Sequence, residues 1–205
     1  DFSIREGRLA SYNGEDFYQD EDFTIRKGCL TDYAGESPDV VIPEGVTSIG
    51  ELAFENCKSM VSVTIPETVA HIERSAFKNC ANLESVTIPE MVTYIAEYTF
   101  KGCANLKKVA LGGVYYIDRG AFSSCTSLTD INLADLPAPE DPENESTSIS
   151  EWAFEGCSSL KNVTLSKEIT HIEAYTFTGC SSLESVFIPE NVYAIDNSAF
   201  LGCTS

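Results

Sequence analysis

Apolar and polar residues alternate along a short segment that returns throughout the chain. In its clearest form the segment begins at Leu83, and Val86 and Ile88 follow with one residue between them. Alternation with a period of two predicts a short β-strand with one buried face. Equivalent strands are predicted at 63–65, 86–88, 109–111, 131–133, 163–165 and 186–188.

A second set of apolar positions follows each predicted strand. It leads from an isoleucine through Ala-Phe to a cysteine, as from Ile72 to Cys80. This stretch is too short for an independently stable helix, so it predicts a single helical or 3-10 turn. The phenylalanines stand at 54, 77, 100, 122, 154, 177 and 200, separated by 23, 23, 22, 32, 23 and 23 residues.

A fixed period of this length is typical of a solenoid, because one such unit cannot bury its own apolar residues but stacked units can. We therefore expect an α/β solenoid. Its short parallel strands should line a concave sheet, and its helical or 3-10 turns should form the outer wall.

The chain divides into two parts at about residue 40. Residues 1–16 align with residues 22–37 at an offset of 21, and we expect residues 1–39 to form capping hairpins from this duplicated unit. Residues 40–205 form the repeat array, which stops within a repeat and suggests a cut in a longer protein. Gly112-Gly113 replaces Pro-Glu in a shortened repeat, and an acidic, proline-rich insertion occupies 134–148. We interpret the insertion as an exposed surface loop, with a partner-binding loop as the alternative.

The repeat resembles the bacterial leucine-rich repeat of the Treponema type, found in BspA-like surface proteins. The resemblance rests on "VTIPETVAHIERSAF" (63–77) and "VTIPEMVTYIAEYTF" (86–100), and residues 40–205 carry the pattern nearly throughout. Residues 22–46 also resemble the lead-in to such arrays. The resemblance implies a leucine-rich repeat, right-handed horseshoe or arc, and a secreted or cell-surface bacterial protein that binds host or extracellular matrix proteins as an adhesin.

Charge excludes several classes of partner. The chain has 32 acidic and 13 basic residues, a formal net charge of -19. Such a protein repels nucleic acid and anionic membrane. No run of eighteen apolar residues is present, so we expect no membrane insertion.

The recurring cysteines raise the question of chemistry, and packing answers it best. Equivalent residues on neighbouring coils lie roughly 4.8 Å apart with parallel side chains, which does not suit disulfide geometry. No C-x-x-C pair suggests zinc, and thiols in an apolar column do not suit catalysis. We expect structural thiols at seven positions: Cys57, Cys80, Cys103, Cys125, Cys157, Cys180 and Cys203. Cys29 aligns with Arg8, so it is either an incidental free thiol or an exposed, reactive one.

No catalytic, metal or cofactor site is predicted. His71 and His171 occupy the same repeat position four coils apart, roughly 19 Å, and no G-x-S-x-G, P-loop or H-E-x-x-H motif occurs. We therefore expect a protein that is not an enzyme.

Partner-binding residues are expected where the strands point outward on the concave sheet. Lys107, Lys108 and Lys161 suggest a positive island, with a solvated face as the alternative. Phe187 is either an interface anchor or a contact with a further coil. The full predicted set is Glu84, Ser85, Thr87, Lys107, Lys108, Asp130, Asn132, Lys161, Asn162, Thr164 and Phe187.

These observations predict a non-catalytic domain for protein–protein interaction or adhesion that acts through its concave sheet. A structural spacer that presents another domain is the alternative. A carbohydrate-binding module is a third, which is disfavoured because Phe187 is the single aromatic residue in these outward columns.

Overall fold

The structure, a computed structural model, describes residues 3–5, 8–10, 17–19, 21–141 and 146–205. Within these residues the chain forms nineteen β-strands and no helix. The strands belong to a parallel β-solenoid with one phenylalanine in each of seven coils. No described helix has the length and apolar character needed to cross a membrane.

The N-terminal strands pair antiparallel before the solenoid begins. They are β1 (Ser3–Arg5), β2 (Arg8–Ala10), β3 (Phe17–Gln19), β4 (Phe23–Arg26) and β5 (Cys29–Tyr33). β1 pairs with β2, while β3, β4 and β5 form consecutive antiparallel pairs. β5 then pairs in parallel with the first coil, opposing Leu30 to Ile49. β3, β4 and β5 are therefore joined to the array by a continuous sheet, whereas β1 and β2 form a separate two-stranded sheet.

The six strands that the alternating pattern predicts, together with one further strand at 39–41, form the first parallel sheet. They are β6 (Asp39–Val41), β8 (Ser62–Thr64), β10 (Ser85–Thr87), β12 (Lys108–Ala110), β14 (Asp130–Ile131), β16 (Asn162–Thr164) and β18 (Ser185–Phe187). Pairing runs in order from β6 to β14 and resumes between β16 and β18. A single bridge between Leu133 and Leu165 joins these two parts.

A second parallel sheet follows the isoleucine column, where the sequence analysis predicted no strand. Its members are β7 (Ser48–Ile49), β9 (His71–Ile72), β11 (Tyr94–Ile95), β13 (Tyr116–Ile117), β15 (Ser148–Ile149), β17 (His171–Ile172) and β19 (Ala194–Ile195). They pair in three groups, β7–β9, β11–β13–β15 and β17–β19. The isoleucines from Ile49 to Ile172 are buried, whereas Ile195 of the last strand is 51% exposed.

The predicted helical or 3-10 turns are absent from the part of the chain that the structure describes. Stacked turns replace them, and we call these segments the turn wall: residues 50–57, 73–80, 96–103, 118–125, 150–157, 173–180 and 196–203. Within one coil, the N–H groups of Ala76 and Lys78 donate to carbonyls three residues earlier, while Phe77 N donates to Thr99 O of the next coil, 2.9 Å away. A helix would use every N–H within its own segment. Here alternate N–H groups donate to carbonyl groups of the next coil, so hydrogen bonds between coils hold the turn wall together.

Two residues in each turn adopt the left-handed conformation that this geometry requires. One lies two positions before the phenylalanine, at Leu52, Ser75, Tyr98, Gly120, Trp152, Tyr175 and Ser198. The other lies two positions after it, at Asn56, Asn79, Gly102, Ser124, Gly156, Gly179 and Gly202. The second column therefore holds only glycine, asparagine and serine, the first two of which tolerate positive φ best.

Stacked phenylalanine rings form the centre of the core. Neighbouring rings from Phe54 to Phe200 have centroids 4.9–5.5 Å apart and interplanar angles of 4–7°. Tyr33 extends the stack to the N-terminal hairpin, 5.1 Å from Phe54. The rings from Phe54 to Phe177 are almost completely buried, so aromatic packing links every coil to its neighbours.

The cysteines after these phenylalanines add a hydrogen bond between coils. Cys103 Sγ donates to Phe77 O at 3.2 Å, and Cys125 Sγ donates to Phe100 O at the same distance. The same bond forms from Cys80, Cys157, Cys180 and Cys203 at 3.0–3.3 Å. Each thiol therefore fills a narrow core position and also bonds the backbone of the preceding coil.

Burial changes the acidity of these thiols. It raises the pKa of Cys125 and Cys157 well above the ordinary value. Burial, with a smaller contribution from the Cys203 thiol, raises the pKa of Cys180 to about 12. Cys125, Cys157 and Cys180 therefore stay protonated in the folded protein at neutral pH.

Gly112 and Gly113 allow the shortened coil to lie against the one before it. A Cβ atom on Gly112 would be 2.5 Å from Ile88 O, and one on Gly113 would collide with Glu90 O. Gly112 also has a φ of +52°. The glycines are therefore required by the close approach of two backbones.

Thiol burial predicts a pH dependence of stability. In the unfolded chain these thiols ionise above about pH 8.5, whereas in the folded protein burial keeps them protonated. The folded state therefore has its full stability relative to the unfolded chain below that pH, and this stability falls as the pH rises above it. Each such thiol should lower the free energy of unfolding by about 1.4 kcal/mol per pH unit. In urea titrations between about pH 9.5 and 10.5, the double variant Cys125→Ala, Cys157→Ala should lose stability less steeply than the parent. Equal slopes would contradict the thiol contribution.

Alanine at Gly112 should destabilise the protein more than alanine at Gly179. Both glycines have positive φ, at +52° and +73°, but a Cβ on Gly179 meets its nearest neighbours at an ordinary 3.5 Å. Gly179→Ala should therefore cost about 1 kcal/mol from conformation alone. Gly112→Ala should cost about 1–3 kcal/mol more because it overpacks two backbones. Urea unfolding of both variants measures the difference, and equal losses would show that the contact is not limiting.

Candidate functional site

The outward residues of the first sheet form a continuous surface, which we call the strand face. Successive coils place equivalent residues side by side, as the pairing of Ser85 with Lys108 and of Thr164 with Phe187 shows. Every predicted partner-binding residue is exposed there: Glu84, Ser85, Thr87, Lys107, Lys108, Asp130, Asn132, Lys161, Asn162, Thr164 and Phe187. Most of these side chains are short and polar, so much of the face is a smooth floor.

The three predicted lysines do not form one positive cluster. Lys107 Nζ lies 3.0 Å from Glu84 Oε2 of the preceding coil, and both side chains are about half exposed. Lys161 lies two coils beyond Lys107 in the same column, roughly 10 Å away, with Thr129 between them. Lys108 is opposite Asp130 in the sheet, although no described residue forms an ion pair with either side chain. Positive charge on this face is therefore divided among separate positions.

A first groove of about 250 Å³ opens beside β12 and β14. Ala110, Leu111 and Leu136 line its apolar part, while Lys108 and Asp130 line its polar part. Gly112, which follows β12 and begins the shortened segment of that coil, also lines the groove. The smooth floor therefore has a depression where the repeat departs from its period.

The insertion at 134–148 is anchored to the core at its start, while most of its described residues are exposed. Leu136 is 4% exposed and belongs to the core. Ser166 Oγ donates to Leu136 O at 2.8 Å, and Thr147 Oγ1 donates to Pro137 O at 2.7 Å. Asp135 remains exposed on the groove side and accepts a hydrogen bond from Asn132 Nδ2 at 2.6 Å. The four residues 142–145 of the insertion lie outside the described residues.

A second groove of about 390 Å³ lies on the other side of the anchored segment. Its walls include Pro137, Ser166, Lys167, Phe187 and Pro189. The Phe187 side chain is 64% exposed, in a column where other coils carry short residues. The insertion thus forms a ridge between two grooves.

The predicted structural thiols lie away from this surface. Cys80, Cys103, Cys125, Cys157 and Cys180 are buried, whereas Cys57 and Cys203 are half-buried at the two ends of the column. Cys29 is also half-buried, in the strand that pairs with β7, where it opposes Ser48. All eight thiols are free.

The described residues contain no group of three or more His, Cys, Asp or Glu side chains arranged to hold a metal ion. His71 and His171 lie on the second sheet. His171 Nε2 is 3.1 Å from Asp196 Oδ1, although its N–H does not point at that oxygen.

Sequence reasoning missed an aromatic column on the turn wall. Trp152 and Tyr175 occupy the left-handed position two residues before the phenylalanine, and their rings stack with centroids 5.1 Å apart. Tyr98 occupies the same position nearer the N-terminus. The sequence does show three aromatic residues at one repeat position. The predicted helical turn, however, did not indicate that the side chains of Trp152 and Tyr175 lie side by side on the outer surface.

Comparison with known proteins identifies the repeat. The model of the BspA type leucine rich repeat region matches residues 24–137 and 141–205, in six copies. None of the curated proteins matches the chain.

Several solved structures share the fold. A leucine-rich repeat protein of T. pallidum is 28% identical with a TM-score of 0.77, covering 86% of this chain and 81% of its own. One from Bacteroides ovatus is 28% identical with a TM-score of 0.72, covering 98% and 48%. One from Eubacterium ventriosum is 24% identical with a TM-score of 0.80, covering 95% and 52%. The chain spans about half the length of the latter two. Given the match to the family model along most of its length, the chain belongs to the BspA-type leucine-rich repeat family.

Proposed function

We propose that this chain is a non-catalytic, secreted or cell-surface domain that binds a protein through its strand face. The family supports a role in protein interaction or as a structural repeat. Its resemblance to BspA-like surface proteins supports the extracellular location and a host or matrix protein as partner. We expect the strand face to be the concave side of the arc.

One observation carries the proposal. Three departures from the repeat meet on one stretch of the strand face: the shortened coil at Gly112, the insertion docked at Leu136, and the exposed Phe187. Together they produce two grooves on an otherwise smooth surface. The regular coils pack without any of the three, whereas grooves beside an exposed aromatic residue suit the anchors of a protein interface.

The grooves suggest how a partner would be held. Phe187 and the two prolines of the second groove offer an apolar contact for a partner side chain. Lys108 and Asp130 in the first groove are charged groups that form no ion pair within the described residues. They can therefore bind polar groups of a partner without first breaking an intramolecular pair, which favours specificity.

Phe187→Ser should weaken partner binding by about tenfold or more, as expected for a central aromatic anchor. The measurement is surface plasmon resonance of the chain against a panel of purified extracellular matrix proteins. Leu201→Ser is the matched control, because Leu201 is 60% exposed on the turn wall of the last coil. The control should bind like the parent.

A second variant tests the first groove. Lys108→Glu should weaken binding of the same partner, while Lys101→Glu on the turn wall should leave it unchanged. Equal affinities for Phe187→Ser and Leu201→Ser would contradict binding through the strand face. If no protein of the panel binds, the structural spacer becomes the better interpretation.

A further inference from the structure

The turn wall carries a stack of aromatic and cationic side chains outside the core. Trp152 and Tyr175 lie on adjacent coils with nearly parallel rings, at an interplanar angle of 6°. With centroids 5.1 Å apart, rings of this size cannot lie edge to edge in one plane, so one face of each ring is turned toward the other. Both residues adopt positive φ, +56° and +62°, where bulky side chains are uncommon.

In the earlier coils, the protein itself places cations against the aromatic residues of this column. The Arg119 guanidinium lies 4.3 Å from the Trp152 ring, on the coil before it. Lys101 Nζ lies 4.8 Å from the Tyr98 ring, and Arg74 lies 5.9 Å from the same ring. All three distances are within the range of cation–π attraction.

Within the described residues, no such cation lies against Tyr175. Arg119 precedes its ring by one coil, and the residue in that position before Tyr175 is Glu151, while Asn197 holds the position on the following coil. The residue that corresponds to Lys101 is Thr178. Ser198 is the next member of the column, and within the described residues Trp152 provides the ring contact of Tyr175. The chain has no lysine or arginine after Lys167. Within the described residues, the second face of Tyr175 is therefore not covered by a cation.

Three carboxylates lie near one another at the start of neighbouring turns of the turn wall. Glu173 is two residues before Tyr175, Asp196 is on the following coil, and Glu151 is on the preceding one. Burial raises the pKa of Glu173, and the negative charges of Glu151 and Asp196 raise it further, while His171 opposes them. The three carboxylates therefore act on one another across neighbouring coils, with His171 as the nearby group able to carry a positive charge.

We propose that these residues form a second binding surface, the acidic aromatic patch, which takes a lysine or arginine side chain from a basic segment of a partner protein. The patch consists of Trp152, Tyr175, Glu151, Glu173 and Asp196. The incoming cation stacks on the open face of Tyr175, as Arg119 and Lys101 stack on their own rings, and the carboxylates offset its charge.

The charge of the whole protein favours this occupant over an anionic one. The formal net charge of -19 attracts a basic segment over distances longer than a single contact. The alkyl part of lysine or arginine can also lie along an aromatic ring while the charged end stays near the carboxylates. The patch lies on the turn wall and the adjoining second sheet, so its use is independent of the strand face.

The probe is a hexa-arginine peptide with blocked termini, and Trp152 is the reporter. Trp152 is the single tryptophan of the chain and lies within the stack, so its fluorescence should change as the peptide binds. Calorimetry supplies the affinity. Tyr175→Ser should weaken binding by about five- to tenfold. Serine already occupies this repeat position at Ser75 and Ser198, both with positive φ, so the substitution suits the fold.

Tyr98→Ser is the matched control, with the same column and left-handed conformation but a ring already contacted by Lys101. It should bind the peptide like the parent, as should Phe187→Ser on the strand face. Asp196→Asn should weaken binding, and Asp39→Asn, at the N-terminal end of the strand face, should do so less.

Two results would overturn the proposal. In one, Tyr175→Ser and Tyr98→Ser bind the peptide equally, which would show only general attraction to an acidic protein. In the other, the parent protein does not bind the peptide at low ionic strength.

Discussion

The whole structure depends on the fact that no coil can complete itself. Each coil leaves apolar residues and alternate backbone N–H groups unsatisfied, and only the next coil can meet them. The turn wall shows this most clearly, where Phe77 N bonds Thr99 O one coil away while Phe77 stacks on Phe54 and Phe100. The Cys103 thiol then bonds the Phe77 carbonyl. Because these contacts share one short segment, a shift of register would lose all of them together, which explains why the phenylalanine and cysteine columns keep their spacing.

The same constraint divides the residues by role. Inward positions must match their neighbours above and below, and the backbone of each turn needs two left-handed residues per coil. Outward side chains have no such requirement, so they can vary without cost to the stack. Where the period itself changes, the structure compensates locally. The shortened coil uses Gly112 and Gly113 to let backbones approach, and the insertion places Leu136 in the core so that the longer coil still presents an apolar interior.

This division also explains how far the sequence could predict the structure. The strand at Ser85–Thr87 followed directly from the alternation around Val86, and the outward residues followed from the strand. The backbone conformation of the turn wall could not be predicted in the same way. Ile72, Ala76, Phe77 and Cys80 have a spacing that a helical turn could also satisfy, and hydrogen bonding to the next coil decides against it. Similarly, nothing in the composition of the insertion distinguishes Leu136 from an exposed loop residue, since its burial depends on a space provided by Ser166 and Leu165.

Functional residues are therefore best sought among outward positions whose identity the stack does not explain. Phe187 exposes an aromatic ring in a column that elsewhere holds short residues, and burial gives no reason for it. Trp152 and Tyr175 place bulky side chains at positive φ in a column that also accepts glycine and serine, so they carry a conformational cost that smaller residues would reduce. Their mutual stacking offsets part of that cost, but a smaller residue would not incur it. The two surfaces lie on different sides of one stack, so the two proposed binding sites share no residue.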